Sequence, residues 1–126
     1  MRLIERIISV SETEIHCLAM PHGNADYPLR LNCILYTANL VELGAQAAAA
    51  HASTGELKGN HTGLLIGLQN VNLITSTVID CSDNLHITAR QLHFDGNGAL
   101  YDFEVSAQGQ KYVEGRATLK MQGEAE

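Results

Sequence analysis

The segment that most limits what this chain can fold into is Leu40-Val41-Glu42-Leu43-Gly44-Ala45-Gln46-Ala47-Ala48-Ala49-Ala50. Its only polar side chains are Glu42 and Gln46. From about Ile34 to Ala52 there is no proline and one glycine, and alanine and leucine dominate, which is the composition of a helix. The pattern predicts a single long helix over 34–52, roughly 30 Å at about 1.5 Å per residue. Ser53-Thr54-Gly55 supplies its stop, with Gly55 able to take the left-handed conformation. A helix apolar on nearly every face must be buried on most sides. Something has to wrap it.

The rest of the chain supplies a sheet. Leu3 to Ile8 is a short apolar segment, and Thr13 to Met20 alternates as a strand that ends at Pro21. His22 to Pro28 is rich in turn formers and reads as a loop. After the helix, Gly63 to Leu73, Asn84 to Leu92, Leu100 to Gln108 and Tyr112 to Met121 each read as strands. Asp95-Gly96-Asn97-Gly98 and Gln108-Gly109-Gln110 carry the glycines that tight hairpins require. The order is strand, buried helix, antiparallel meander, expected as one domain over residues 1–126. This is an α+β class, and one long central helix wrapped by a curved antiparallel sheet suggests the hot-dog fold.

Hydrophobic residues make up 45% and charged residues 17%, enough apolar material for a packed core. Fourteen acidic against eight basic side chains give a formal charge of -6, with no run of Lys or Arg, so no nucleic-acid partner is expected. The N-terminal MRLIERIISV is interrupted by Arg2, Glu5 and Arg6, unlike a signal peptide, and no stretch approaches the roughly 20 apolar residues of a membrane span. No membrane partner is expected, and the expected location is the cytoplasm.

Cys17, Cys33 and Cys81 sit apart among apolar neighbours and read as reduced, buried thiols, with Cys33 near the helix start the weaker alternative as a nucleophile. His16, His61, His86 and His93 show no metal-ligand spacing, and His51 falls on a different part of the helix surface from Glu42. No metal and no cofactor are implied; Gly23, Gly63 and Gly67 lack the order of a phosphate-binding loop.

Glu42 needs a reason to be where it is. An ionised, unpaired carboxylate in an Ala-rich buried helix carries a large desolvation cost. Gln46 lies four residues on, over the same helix face, where its amide can bond the carboxyl. Two readings stay open. Partial burial would raise the Glu42 pKa and suit a general acid, or Glu42 faces solvent or a partner subunit and simply continues a good helix.

Five passages resemble the 3-hydroxyacyl-acyl-carrier-protein dehydratases of fatty-acid synthesis, in the same order. They are Leu3 to Ile8, the helix Leu40 to Ala47 with its acid followed four residues later by glutamine, Gly63 to Val71, Val78 to Leu85, and the closing Tyr101 to Met121. The resemblance implies dehydration of a 3-hydroxyacyl thioester to the trans-2-enoyl thioester, with acyl carrier protein as the substrate's carrier and a homodimer or heterodimer of hot-dog subunits. It implies Glu42 as the acid that protonates the departing hydroxyl, and a loop histidine as the base that takes the proton next to the thioester. Helix N-terminal amides near Thr37 and Ala38 would hold the enolate oxygen.

The family's Gly-His-Phe-Pro motif is missing. Its usual spacing back from Glu42 lands on Pro28 beside Tyr27, and His22 lies six residues earlier. Either a loop insertion has displaced His22, which still reaches the site, or the base is absent. Tyr27 is a poor base but can position substrate or donate a hydrogen bond. Tyr27-Pro28-Leu29-Arg30 and Ala50-His51-Ala52 are more similar to a less characterised dehydratase-like branch, some members of which accompany aryl polyene biosynthesis genes and also lack the standard motif. Leu40, Leu43 and Leu65 would be walls of an acyl tunnel or ordinary core. Arg30, Arg90, Arg116 and Lys120 are the cations available to an acidic carrier protein. Two rivals remain: an acyl thioesterase that uses Glu42 to activate water, and a non-catalytic hot-dog partner subunit.

Overall fold

A computed structural model describes residues 4–19, 34–35, 40–53, 62–74, 79–80 and 84–122. The elements run β1 (Arg6–Val10), β2 (Glu14–Ala19), β3 (Ile34–Leu35), α1 (Val41–Ala52), β4 (Thr62–Leu73), β5 (Ile79–Asp80), β6 (Leu85–Phe94), β7 (Gly98–Ala107) and β8 (Gln110–Gln122). Six strands form one antiparallel sheet in the order β1-β2-β6-β7-β8-β4, and β3 pairs with β5 apart from it.

The sheet has two chemically distinct faces because side chains alternate along a strand. On β7, Ala99, Tyr101, Phe103, Val105 and Ala107 point inward and are buried, while Asp102, Glu104 and Ser106 alternate outward. Ile15 and Cys17 on β2, Leu85, Ile87 and Ala89 on β6, and Val113, Ala117 and Leu119 on β8 join the same inner layer. Helix α1 lies against this layer, packing on β2, β4, β6, β7 and β8 through Leu43, Ala47, Ala48 and Ala52. A helix held in a curved antiparallel sheet is the hot-dog arrangement.

The hairpins form where the glycines put them. Asp95 Oδ1 accepts from the Asn97 and Gly98 amides, both at 2.9 Å, while Gly96 takes φ +88°. At β7–β8 the two loop residues Gln108 and Gly109 have φ of 52° and 77°, the two left-handed positions of a type I′ turn.

One boundary differs from the sequence expectation. The helix starts at Val41 rather than Ile34 and runs about 18 Å. Ile34 and Leu35 instead pair with Asp80 and Ile79. Apolar residues of this kind suit a strand as well as a helix, and a partner far along the chain decides between them. The end is set by Ser53, whose amide and hydroxyl both donate to the Ala49 carbonyl, at 3.1 and 2.9 Å. The expected Gly55 stop lies outside the described residues.

The glycine inside α1 is a packing requirement. A Cβ on Gly44 would sit 2.0 Å from Phe103 Cδ1, and the far side of the same ring faces Gly115, whose Cβ would lie 2.8 Å from Phe103 Cζ. The Phe103 ring fills the space that two missing side chains leave between helix and sheet.

Candidate functional site

Helix α1 is not covered all round. Leu43, Gly44, Ala45, Ala47, Ala48, His51 and Ala52 are buried. Glu42 is exposed, and Gln46, Ala49 and Ser53 are half-buried behind it. Positions 42, 46, 49 and 53 recur at helical spacing and so form one open stripe. Glu42 heads this stripe in the first turn, where a negative side chain complements the positive end of the helix. The burial expected for Glu42 is therefore not supplied by the described residues. Whatever buries it must come from outside the described residues or from another molecule.

Strand β4 is the sheet edge nearest in sequence to the helix, and it is unusually apolar for an edge. Leu64, Leu65, Ile66, Leu68, Val71 and Leu73 are all exposed, Ile66 by 63%. Of the expected tunnel walls, Leu40 and Leu43 are fully buried core residues, whereas Leu65 stands on this open strand. An edge strand with exposed apolar side chains is a surface ready to pair or to be covered.

His22, Tyr27, Thr37 and Ala38 lie outside the described residues, as do Cys33, Cys81, His61 and Arg30. Cys17 is fully buried, and burial pushes its thiol up to about 11, as expected of an inert core cysteine. The remaining described cations do not form a purely basic patch, because carboxylates stand among them. Arg116 is paired with Asp102 at 2.9 Å, and Lys111 sits between Glu104 and Glu114 at 3.3 and 3.1 Å. Together with Arg90 these line a polar cleft of about 350 Å³. They belong to the outward set of the sheet, whereas α1 and Glu42 lie on the inner side. Lys120 lies elsewhere, beside His93 and Ile66.

A buried polar chain at the other end of α1 has no signature in the sequence. His51 Nε2 donates to the Ser11 carbonyl at 2.8 Å, which fixes the proton on that nitrogen. Its Nδ1 then accepts from the Tyr101 hydroxyl, and the Tyr101 oxygen accepts from Gln91 Nε2 at 3.0 Å. Burial raises the Tyr101 pKa, and the Gln91 bond opposes that rise. This chain ties the helix end to the β1–β2 turn and to β6 and β7, and His51 is a structural histidine far along the helix from Glu42. No His/Cys/Asp/Glu group of three or more among the described residues is arranged to hold a metal ion. No described helix is long and apolar enough to cross a membrane.

An exposed helix acid, a glutamine one turn later and an open apolar edge strand are the features in which comparison with known proteins has to make sense. The family that matches is described as ApeP dehydratase, an ApeP-like family, and the match runs over residues 1–125. The chain belongs to the ApeP-like dehydratase family. This is in line with the dehydratase-like, aryl polyene-associated branch that the sequence resembles. Among solved structures, the ApeP-like chain is similar to the dehydratase heterocomplex ApeI:P from Xenorhabdus doucetiae. The TM-score is 0.77 at 21% identity, over 98% of this chain and 84% of that one. It is also similar to smu.793 from Streptococcus mutans UA159 bound to acetyl CoA, with TM-score 0.73, 15% identity and coverage of 100% and 96%. A third is the thioesterase HI1161 from Haemophilus influenzae, with TM-score 0.72, 15% identity and coverage of 95% and 79%. At these identities the likeness is one of fold. No curated protein matches the sequence.

Proposed function

We propose that this ApeP-like chain serves the dehydration of a 3-hydroxyacyl thioester, carried on acyl carrier protein, to the trans-2-enoyl thioester, with Glu42 as the acid. The supporting observation is the position of Glu42, exposed at the head of the open stripe of a mostly buried helix. A carboxyl there is accessible to substrate and can be enclosed by a second subunit. In the reaction a base takes the proton from the carbon next to the thioester, and the electron pair forms the new double bond. The bond from carbon to hydroxyl breaks, and Glu42 gives the proton that lets the hydroxyl leave as water. We assign the base to His22, the orientation of the Glu42 carboxyl to Gln46, substrate positioning to Tyr27, and stabilisation of the enolate oxygen to amides near Thr37 and Ala38.

The open β4 edge supports a second reading within the same family, in which the chain completes its site, or another subunit's, only in a heterodimer with a second hot-dog protein. The ApeI:P structure is a heterocomplex by name. The cytoplasm remains our proposed location.

The test uses the purified chain, alone and mixed with a second hot-dog subunit, on a 3-hydroxyacyl carrier-protein thioester and on a plain acyl thioester. Enoyl product that falls by about 10²–10⁴-fold in Glu42→Gln supports the acid role. Product that appears only with the second subunit, and is indifferent to Glu42→Gln, assigns the chain a supporting part. Free thiol released from the plain acyl thioester instead of enoyl product would overturn dehydration in favour of thioester hydrolysis.

A further inference from the structure

On the sheet face turned away from α1, two histidines meet for which the dehydratase reading has no use. His16 on β2 and His86 on β6 belong to the outward set of their strands, since Ile15, Cys17, Leu85 and Ile87 between them point into the core. The register pairs His16 with Thr88 and Leu18 with His86, so the imidazoles sit diagonally across adjacent strands. His16 Nε2 and His86 Nδ1 lie 3.0 Å apart, with ring centroids 5.2 Å apart and planes tilted by 40°.

We propose that His16 and His86 form a two-imidazole site for a divalent transition-metal ion of the zinc class. A tetrahedral zinc with Zn–N bonds of about 2.0–2.1 Å holds two ligand nitrogens about 3.3 Å apart. The observed nitrogens need to separate by only a few tenths of an ångström, with each ring turning so that both lone pairs meet on the ion. Both side chains are half-buried, and the strands that carry them are hydrogen-bonded from Glu14–Arg90 through Ala19–Leu85, so their spacing is fixed before any ion arrives.

The proton count also works. Two neutral imidazoles facing each other share one N–H between the facing nitrogens. Binding moves that proton to the other nitrogen of its own ring, a change of tautomer with no net loss. No third ligand of the His, Cys, Asp or Glu type joins them among the described residues, so water completes the coordination. The other described histidines do not compete. His51 uses both ring nitrogens in the buried chain, and His93 meets Asp95 at 3.6 Å on an exposed turn. An ion at His16 and His86 would cross-link β2 to β6 and so fasten the β1–β2 edge to the centre of the sheet.

Zinc chloride titrated into the full chain in a non-chelating buffer tests this by calorimetry and thermal melting. One ion per chain is expected, with Tm rising by about 10 °C when zinc stands at a hundredfold excess over its dissociation constant. That rise should disappear in His16→Gln and in His86→Gln and persist in His93→Gln. Imidazole nitrogen NMR on the unmutated chain provides a readout independent of variant folding: zinc should shift His16 Nε2 and His86 Nδ1 together. Unmoved resonances, or binding undiminished in His16→Gln, would overturn the assignment.

Discussion

Gly44→Ala separates what a helix wants from what this fold permits. In an isolated helix the change is favourable by about 0.8–1.0 kcal/mol, because alanine loses less backbone entropy than glycine. Here the new Cβ would meet Phe103 Cδ1, Cε1 and Cγ at 2.0, 2.5 and 2.6 Å. The ring cannot simply retreat, since its far edge already rests against Gly115, with Val71 alongside. Helix or ring must move by more than 1 Å, placing the change at the upper end of the usual overpacking cost, about 3 kcal/mol. Subtracting the propensity gain leaves a net loss of about 2 kcal/mol, or a Tm lower by roughly 6–10 °C for a chain of this size. Urea unfolding with an unchanged slope would measure it. Gly44→Ala combined with Phe103→Leu should be more stable than the sum of the two single changes, because the smaller side chain makes room for the methyl. If Gly44→Ala raised Tm, the contact with Phe103 would be wrong and propensity alone would govern this helix.

Other consequences can be checked on the same material. Tyr101→Phe keeps the ring but removes two hydrogen bonds, to His51 and from Gln91, and should cost about 1–3 kcal/mol in urea unfolding. Cys17 should resist thiol reagents at pH 8 in the folded chain and react at once in urea. Because its folded pKa lies near 11, above the unfolded 9.0, its contribution to stability is complete below pH 9 and is lost as pH rises through 11. Cys17→Ala should therefore flatten the fall in stability over that window, leaving the part due to Tyr101, whose pKa is also raised. Ile66→Lys, on the exposed edge strand, should leave the Tm of the separate chain within experimental error while weakening association with a second hot-dog subunit, measured by light scattering.

Strand after strand was legible because alternation and turn chemistry are local. The β7 pattern and the Gln108-Gly109 turn need no information from elsewhere in the chain, and both formed where the residues indicated. Ile34 and Leu35 were misread as helix because apolar residues satisfy either period, and their pairing with Ile79 and Asp80 is not local. The short β5 had no signature of its own in the sequence for the same reason.

For Glu42 the sequence determined the residue type, the helix and the glutamine one turn away, since all three follow from composition and 3.6-residue spacing. Only the tertiary structure decided which stripe of that helix the sheet leaves open, and it left the stripe that Glu42 heads. The same holds for His51 with Tyr101 and for His16 with His86. Each pair comes from distant parts of the chain, and nothing in local spacing brings two such side chains within hydrogen-bonding distance. Burial against the sheet and strand register do so, and both are properties of the folded chain.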